Sequence, residues 1–119
     1  MDIEKVRNYC LKKKKTTEGF PFGEEVLVFK VMNKMFCLVN LDHPYTINLK
    51  CNPEYAVELR EKYSAVTPGY HMNKTHWNTI TLDGSIPDKE ILLWIDHSYE
   101  LIAASLPKKE QLFLKKKSL

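Results

Sequence analysis

The stretch "EVLVFKVMNKMFCLVNLDHPYTINLK", Glu25 to Lys50, decides the fold. Its first segment is rich in β-branched and aromatic residues and alternates: Leu27, Phe29 and Val31 share one face, Val26, Val28 and Lys30 the other. "MNK" reads as a tight turn in which Asn33 can take a positive φ, with "MFCLVNL" as the returning strand of a β-hairpin. A second turn, "DHP", leads to a third strand, "YTINLK", which sets Tyr45, Ile47 and Leu49 on one face and Thr46, Asn48 and Lys50 on the other.

Helical patterns flank these strands. From Asp2 to roughly Lys14, apolar residues recur at three- to four-residue spacing, with acids in the first turn and lysines in the last. "TTEGFPFGEE" then reads as a loop, from which Phe20 and Phe22 are expected to plug the core. Downstream of the strands, Asn52 is placed as an N-cap and Pro53 as the first residue of a helix burying Ala56, Leu59 and Tyr63. "WNTITL" is a fourth strand. Ser85 and Asp88 have the spacing of a capping box before a long helix whose core stripe is Ile91, Trp94, Ile95, Ser98 and Ile102. Pro107 opens a short last helix. Hairpin-linked strands with helices before, between and after predict an α+β fold with a mostly antiparallel sheet and helices on one face.

Bulk properties narrow the function classes. With 119 residues and 44% hydrophobic content the chain has the size and apolar content of one domain, residues 1–119, with no repeat or linker. Its longest apolar runs, such as "ILLWI", are far too short to span a membrane, and "MDIEKVRNYC" has no apolar signal core, so a cytoplasmic protein is expected. Cys10, Cys37 and Cys51 form no CxxC and read as buried thiols in a reducing compartment. Eighteen basic against fifteen acidic residues give a net charge of +3, the excess lying in Lys12, Lys13, Lys14 and Lys15 and near the C-terminus at Lys108, Lys109 and Lys115 to Lys117. Such runs suit either phosphate contact or a solvated helix end.

The polar stretch "GYHMNKTHWNT", Gly69 to Thr79, holds the candidate chemistry. His71 and His76 point to opposite faces of a strand, or about 140° apart on a helix, and no cysteine or carboxylate stands nearby at ligand spacing, so no metal is expected. Asp96 and His97 are helical neighbours that diverge by about 100° and form no direct dyad. No nucleophile elbow or phosphate-binding glycine motif occurs, and no catalytic residue or cofactor is assigned. His71, Asn73, Lys74 and His76 can donate hydrogen bonds to an anion, and Trp77 falls on the sheet face opposite Asn78, Ile80 and Leu82. Basic and aromatic groups together suit a phosphate or a base. Equally, the loop can cover Trp77 and close on itself through local hydrogen bonds.

Five segments, "FPFGEEVLVFKV", "KMFCLVNL", "NLKCNPEYAVELREKY", "PGYHMNKTHWNTITLDG" and "IDHSYELI", resemble the MmcQ/YjbR family of small bacterial proteins, from the first helix to about Pro107. The resemblance implies a CyaY-like, frataxin-related α+β arrangement and a DNA-binding surface built as a double wing of β-hairpins. Its motif positions are Tyr70, His71, Asn73, Lys74, His76, Trp77 and Asn78, together with Lys50. Iron binding of the frataxin type is not implied, because the first helix carries only Asp2 and Glu4 and ends in lysines.

Three functions follow as expectations. The first is non-catalytic, weakly sequence-specific DNA binding through the lysine clusters, with Asn33, Lys34 and His43 as hairpin contacts. The second is a small-anion or metabolite pocket at Gly69–Thr79. The third is a protein-interaction adaptor that uses an exposed sheet face or edge.

Overall fold

A computed structural model describes residues 1–69 and 72–115 of the chain. Its elements run α1 (Ile3–Leu11), β1 (Thr16–Gly19), β2 (Val26–Val31), β3 (Lys34–Asn40), β4 (Thr46–Lys50), α2 (Pro53–Lys62), β5 (Val66–Pro68), β6 (Trp77–Thr81), α3 (Asp88–Ala104) and α4 (Lys108–Lys115). The six strands form one open sheet in the order β1-β2-β3-β4-β6-β5, and every neighbouring pair is antiparallel. The α+β expectation therefore holds, with two strands more than the pattern gave.

Both extra strands are short edge pieces. β1 takes up "TTEG", which reads as loop because it lacks an apolar alternation; its backbone pairs with β2 from Thr16↔Val31 to Gly19↔Val28. β5 has three residues and ends in Pro68, which an edge strand tolerates because its missing N–H faces no partner strand. Phe20 and Phe22 do not plug the core: they are 50% and 62% exposed.

The core lies between the sheet and the helices. Leu27, Phe29 and Val31 face it as the alternation requires, joined by Ile47, Leu49 and Ile80 from β4 and β6 and by Val6 and Cys10 from α1. The α3 stripe is buried as expected, Ser98 included. This serine has a specific task. A bulge between β2 and β3 makes Phe36 an extra residue, so Phe36 and Cys37 both enter the core. At that point the β3–β4 ladder ends, and the Ser98 hydroxyl donates to the Phe36 carbonyl while accepting from the Lys50 N–H at 2.9 Å. A buried hydroxyl thus satisfies two backbone groups that the bulge has parted.

Local signals were mostly sound. Met32 and Asn33 both have positive φ, 47° and 71°, as a type I′ hairpin turn demands. Asn52 caps α2 by accepting from the Glu54 N–H at 3.0 Å, with Pro53 in the first turn. The capping box does not form: Ser85 donates back to Asp83, and α3 starts after Pro87 with no side-chain cap. α1 stops at Leu11, so Lys12–Lys15 form the turn into β1, with Lys15 at φ 56°. All three cysteines are buried and free of disulfides. Hydrogen bonding to Cys10 and burial push the Cys37 thiol well up, and burial raises Cys51 to about 11. Among the described residues no helix is long and apolar enough to cross a membrane.

Candidate functional site

The face of the sheet away from the helices carries no covering layer among the described residues, and the distinctive residues gather along it. Trp77 sits there, paired across the ladder with Lys50. It is 9% exposed and packs with Val28 and Leu38, and with Met72 from the loop before β6. The tryptophan is the anchor of a small second apolar cluster rather than a free ring.

The loop from Gly69 to His76 is closed by its own hydrogen bonds. The Gly69 N–H donates to the Trp77 carbonyl at 2.8 Å and the Trp77 N–H to the Asn73 carbonyl at 2.9 Å. The Asn73 side chain accepts from the Thr75 and His76 N–H groups at 2.9 and 3.3 Å, and Lys74 reaches back to the Gly69 carbonyl at 3.2 Å. Arg60 of α2 clamps the whole from the helix side. Its Nε donates to the Asn78 Oδ1 at 2.7 Å, and its Nη2 to the carbonyls of Lys74 and Trp77. Asn78 is 2% exposed and lies on the core face, where it also donates to the Ala56 carbonyl at 3.4 Å. Asn73, Asn78 and much of Lys74 are thus spent on holding the loop, while His76 remains exposed. Tyr70 and His71 lie outside the described residues, as do Lys116 and Lys117.

Pattern reading did not find Arg60. It stands in α2 as an ordinary amphipathic basic residue, and only the fold brings it under Asn78.

The lysine run also divides. Lys13 is a structural cation, paired with Asp96, which also accepts from the Tyr9 hydroxyl at 2.7 Å. Its ammonium lies 5.0 and 5.1 Å from the Tyr9 and Tyr99 ring centres. Burial, with the Asp96 hydrogen bond next, pushes the Tyr9 phenol up to about 12. Lys14 donates to the Leu114 carbonyl at 3.0 Å and accepts the Tyr99 hydroxyl through its own carbonyl at 2.6 Å. Lys12 is exposed on the helix side. Lys15 alone is carried to the sheet: its carbonyl accepts from Met32 at 3.4 Å, beside the β2–β3 turn.

Antiparallel register sorts the charges by end. The β2–β3 turn, the exit of β4 at Lys50 and the loop entering β6 all lie at one end of the sheet, which places Lys15, Lys34, Lys50, Lys74 and His76 along that end. No ion pair involves Lys15, Lys34 or Lys50 among the described residues. A shallow depression there is lined by Lys30, Lys34 and Lys50 with Phe22 and Met35. At the opposite end stand Glu25, Asp42 and Asp83, with His43 stacked on Tyr45 at 5.1 Å. The two hairpin turns, with Asn33 and Lys34 at one and His43 at the other, are separated by the length of β3, about 23 Å for seven residues. They therefore do not converge on one surface.

Between the ends, along the open face, runs a groove of about 500 Å³ walled by Phe22, Met35 and Met72 over a floor that includes Val26, Leu38 and Asn48. Among the described residues no group of three or more histidine, cysteine or carboxylate side chains is placed to hold a metal.

Comparison with known proteins agrees with this architecture. The model of the YjbR family matches residues 11–101. The chain belongs to the YjbR family. It is 33% identical over 115 residues to the uncharacterized protein YjbR of Escherichia coli K12, covering 96% of this chain and 98% of the relative. The uncharacterized protein YbdF of Escherichia coli O157:H7 is 36% identical over 93 residues, 77% of this chain and 76% of that protein. A Deinococcus radiodurans crystal structure of family DUF419 superposes with a TM-score of 0.89 at 36% identity, over 98% of this chain and 91% of that one. A Pseudomonas syringae crystal structure gives 0.74 at 32% identity, over 85% and 98%.

Proposed function

We propose that this YjbR-family protein is a non-catalytic nucleic-acid-binding protein that grips the phosphate backbone with the lysine-bearing end of its sheet. The observation that carries the reading is the register itself. Residues distant in sequence, Lys15, Lys34 and Lys50, are brought to one end, and no carboxylate among the described residues pairs with them. Cations left without an internal partner are free to replace the counterions of a phosphate chain. Phe22 lines the same depression at 62% exposure and offers a ring on which an unpaired base can stack. Contacts of this kind fix position rather than read sequence, so binding is weakly sequence-specific.

The double-wing arrangement is narrowed to one wing in this reading. The β2–β3 turn with Lys34 contacts nucleic acid, while the β3–β4 turn lies at the acidic end and stays away from it. The test is fluorescence anisotropy of duplex and single-stranded DNA at two salt concentrations. Three lysine contacts give a log–log salt slope of about −2 to −3. The combined reversal K15E/K34E/K50E should abolish measurable binding, whereas Lys89→Glu, an exposed lysine in the first turn of α3, should leave it unchanged. Binding that ignores salt, or survives the triple reversal, overturns the assignment.

A further inference from the structure

The groove along the open face has a chemistry opposite to that of the lysine end. Its walls are soft and apolar: Phe22 from the β1–β2 connection, Met35 from β3 and Met72 from the loop before β6. Its floor mixes Val26 and Leu38 with the side chains of Thr46 and Asn48. Asn48 is held in place by the Thr79 hydroxyl, which donates to its Oδ1, and Asn40 by the Asp42 N–H, which donates to its Oδ1 at 3.2 Å. The polar part of the lining is therefore fixed before any ligand arrives.

The charged groups lining this groove, among the described residues, are Glu25 and Asp42. The backbone holds them together: the Leu41 N–H donates to the Glu25 carbonyl at 2.8 Å, closing the strand ends from which both project. Both side chains line the same end of the groove, and the neighbouring Asp42 carboxyl holds Glu25 above the usual carboxylate value. Both carboxylates are exposed, so water screens their repulsion, and a cation placed between them relieves what remains. A phosphate or carboxylate ligand would add to that repulsion.

We propose that this groove is a binding site for a small organic cation, a primary amine with an apolar body. Its ammonium sits between Glu25 and Asp42, and its hydrocarbon or aryl part lies along Leu38 between Phe22 and the two methionines. The volume of about 500 Å³ is that of a small-ligand pocket rather than of a macromolecular interface. Methionine walls accommodate apolar bodies of varied shape, which suits a site selective for charge and tolerant of the rest. The groove shares Phe22 and Met35 with the depression at the lysine end, but its charged groups, Glu25 and Asp42, do not line that depression, so the two sites are told apart by charge.

The test is a comparison of three probes with one skeleton: 4-phenylbutylamine, 4-phenylbutanol and 4-phenylbutyrate. Each is titrated into the full chain without nucleic acid and followed by amide chemical shifts. The amine should give saturable shifts at Asn40, Thr46 and Asn48. It should bind about two- to fivefold more tightly than the alcohol, the worth of one exposed charge pair, with the carboxylate weaker still. E25Q/D42N should erase the preference of amine over alcohol, and Phe22→Ala should weaken amine and alcohol alike; all three positions are exposed, so the fold survives. The charge reversal K15E/K34E/K50E should leave amine affinity unreduced, which separates this outcome from failure of the nucleic-acid reading. Absence of saturable shifts in the groove, equal affinity for amine and alcohol, or shifts confined to Lys34 and Lys50 would overturn the proposal.

Discussion

The helix-covered face and the open face of the sheet draw on the same strands, but they use a bulky residue differently. On the covered face Phe29, Phe36 and Ile95 are fully buried between two layers, within one continuous core. On the open face, among the described residues, Trp77 has a small cluster, Val28 and Leu38 with Val26, Met35 and Met72 beside them, and no second layer. A residue enclosed on all sides loses its whole environment when truncated, whereas one covered by a loop loses mainly that loop. The two faces thus separate what the chain needs in order to fold from what it can afford to present to a partner.

Paired truncations give the largest expected effect. Phe29→Ala should cost about 3–5 kcal/mol in denaturant unfolding, because it opens a cavity between sheet and helices. Trp77→Ala should cost about 2–3 kcal/mol, less than its size suggests, because solvent and Met72 can fill the gap. Hydrogen exchange should then speed up in the loop before β6 while α3 keeps its protection. A Trp77→Ala cost equal to that of Phe29→Ala would break the comparison and make the open-face cluster a second core.

Gly69→Ala probes the seam between the faces. A Cβ at Gly69 would stand 2.8 Å from the Trp77 Cβ, 3.0 Å from its carbonyl oxygen and 3.1 Å from the Met72 Cβ. Backbone and Cβ atoms cannot swing away, so the loop must shift and the Gly69–Trp77 hydrogen bond must weaken. The cost should be about 1–3 kcal/mol by thermal or urea unfolding, with Trp77 emission moving to the red as its cover loosens. An unchanged midpoint and spectrum would mean that the loop does not depend on this close approach.

The same contrast explains what could be read from the chain alone. Alternation in "VLVFKV" and the 3.6-residue stripe from Ile91 to Ile102 reported the covered face correctly, because burial between layers leaves a periodic apolar signal. β1 and β5 carry no such signal, since edge pairing rests on backbone groups that every residue has. "GYHMNKTHWNT" was legible as an unusual stretch and Trp77 as an outward residue. Closure of the loop by local hydrogen bonds, as Asn73 makes to Thr75 and His76, was open to that reading; the part of Asn78 was not, because it depends on Arg60, eighteen positions away. Lys12–Lys15 read as one cationic run, yet one turn of chain sends Lys13 to Asp96 and Lys15 to the sheet edge. Local sequence records which charges are present and leaves to tertiary structure which of them find a partner.

At β1 the covered face runs out of apolar material, and this gives the smallest of the expected effects. Glu18 stands opposite Phe29 in the ladder, but it is met by Arg7 of α1, whose Nε and Nη2 donate to its two oxygens at 2.8 Å each. The Arg7 hydrogen bond comes first in holding the Glu18 carboxyl below its ordinary 4.5. A carboxylate whose folded pKa is depressed contributes stability that is complete above its unfolded value and disappears as pH falls through the folded one. Wild type should therefore exceed Glu18→Gln slightly in unfolding midpoint at neutral pH, and the difference should shrink as pH is lowered through and below 4.5. High salt should shrink it as well, because the pair is partly exposed. A difference that persists at low pH would assign the pair a packing role, with the arginine stem rather than the charge closing the edge of the core.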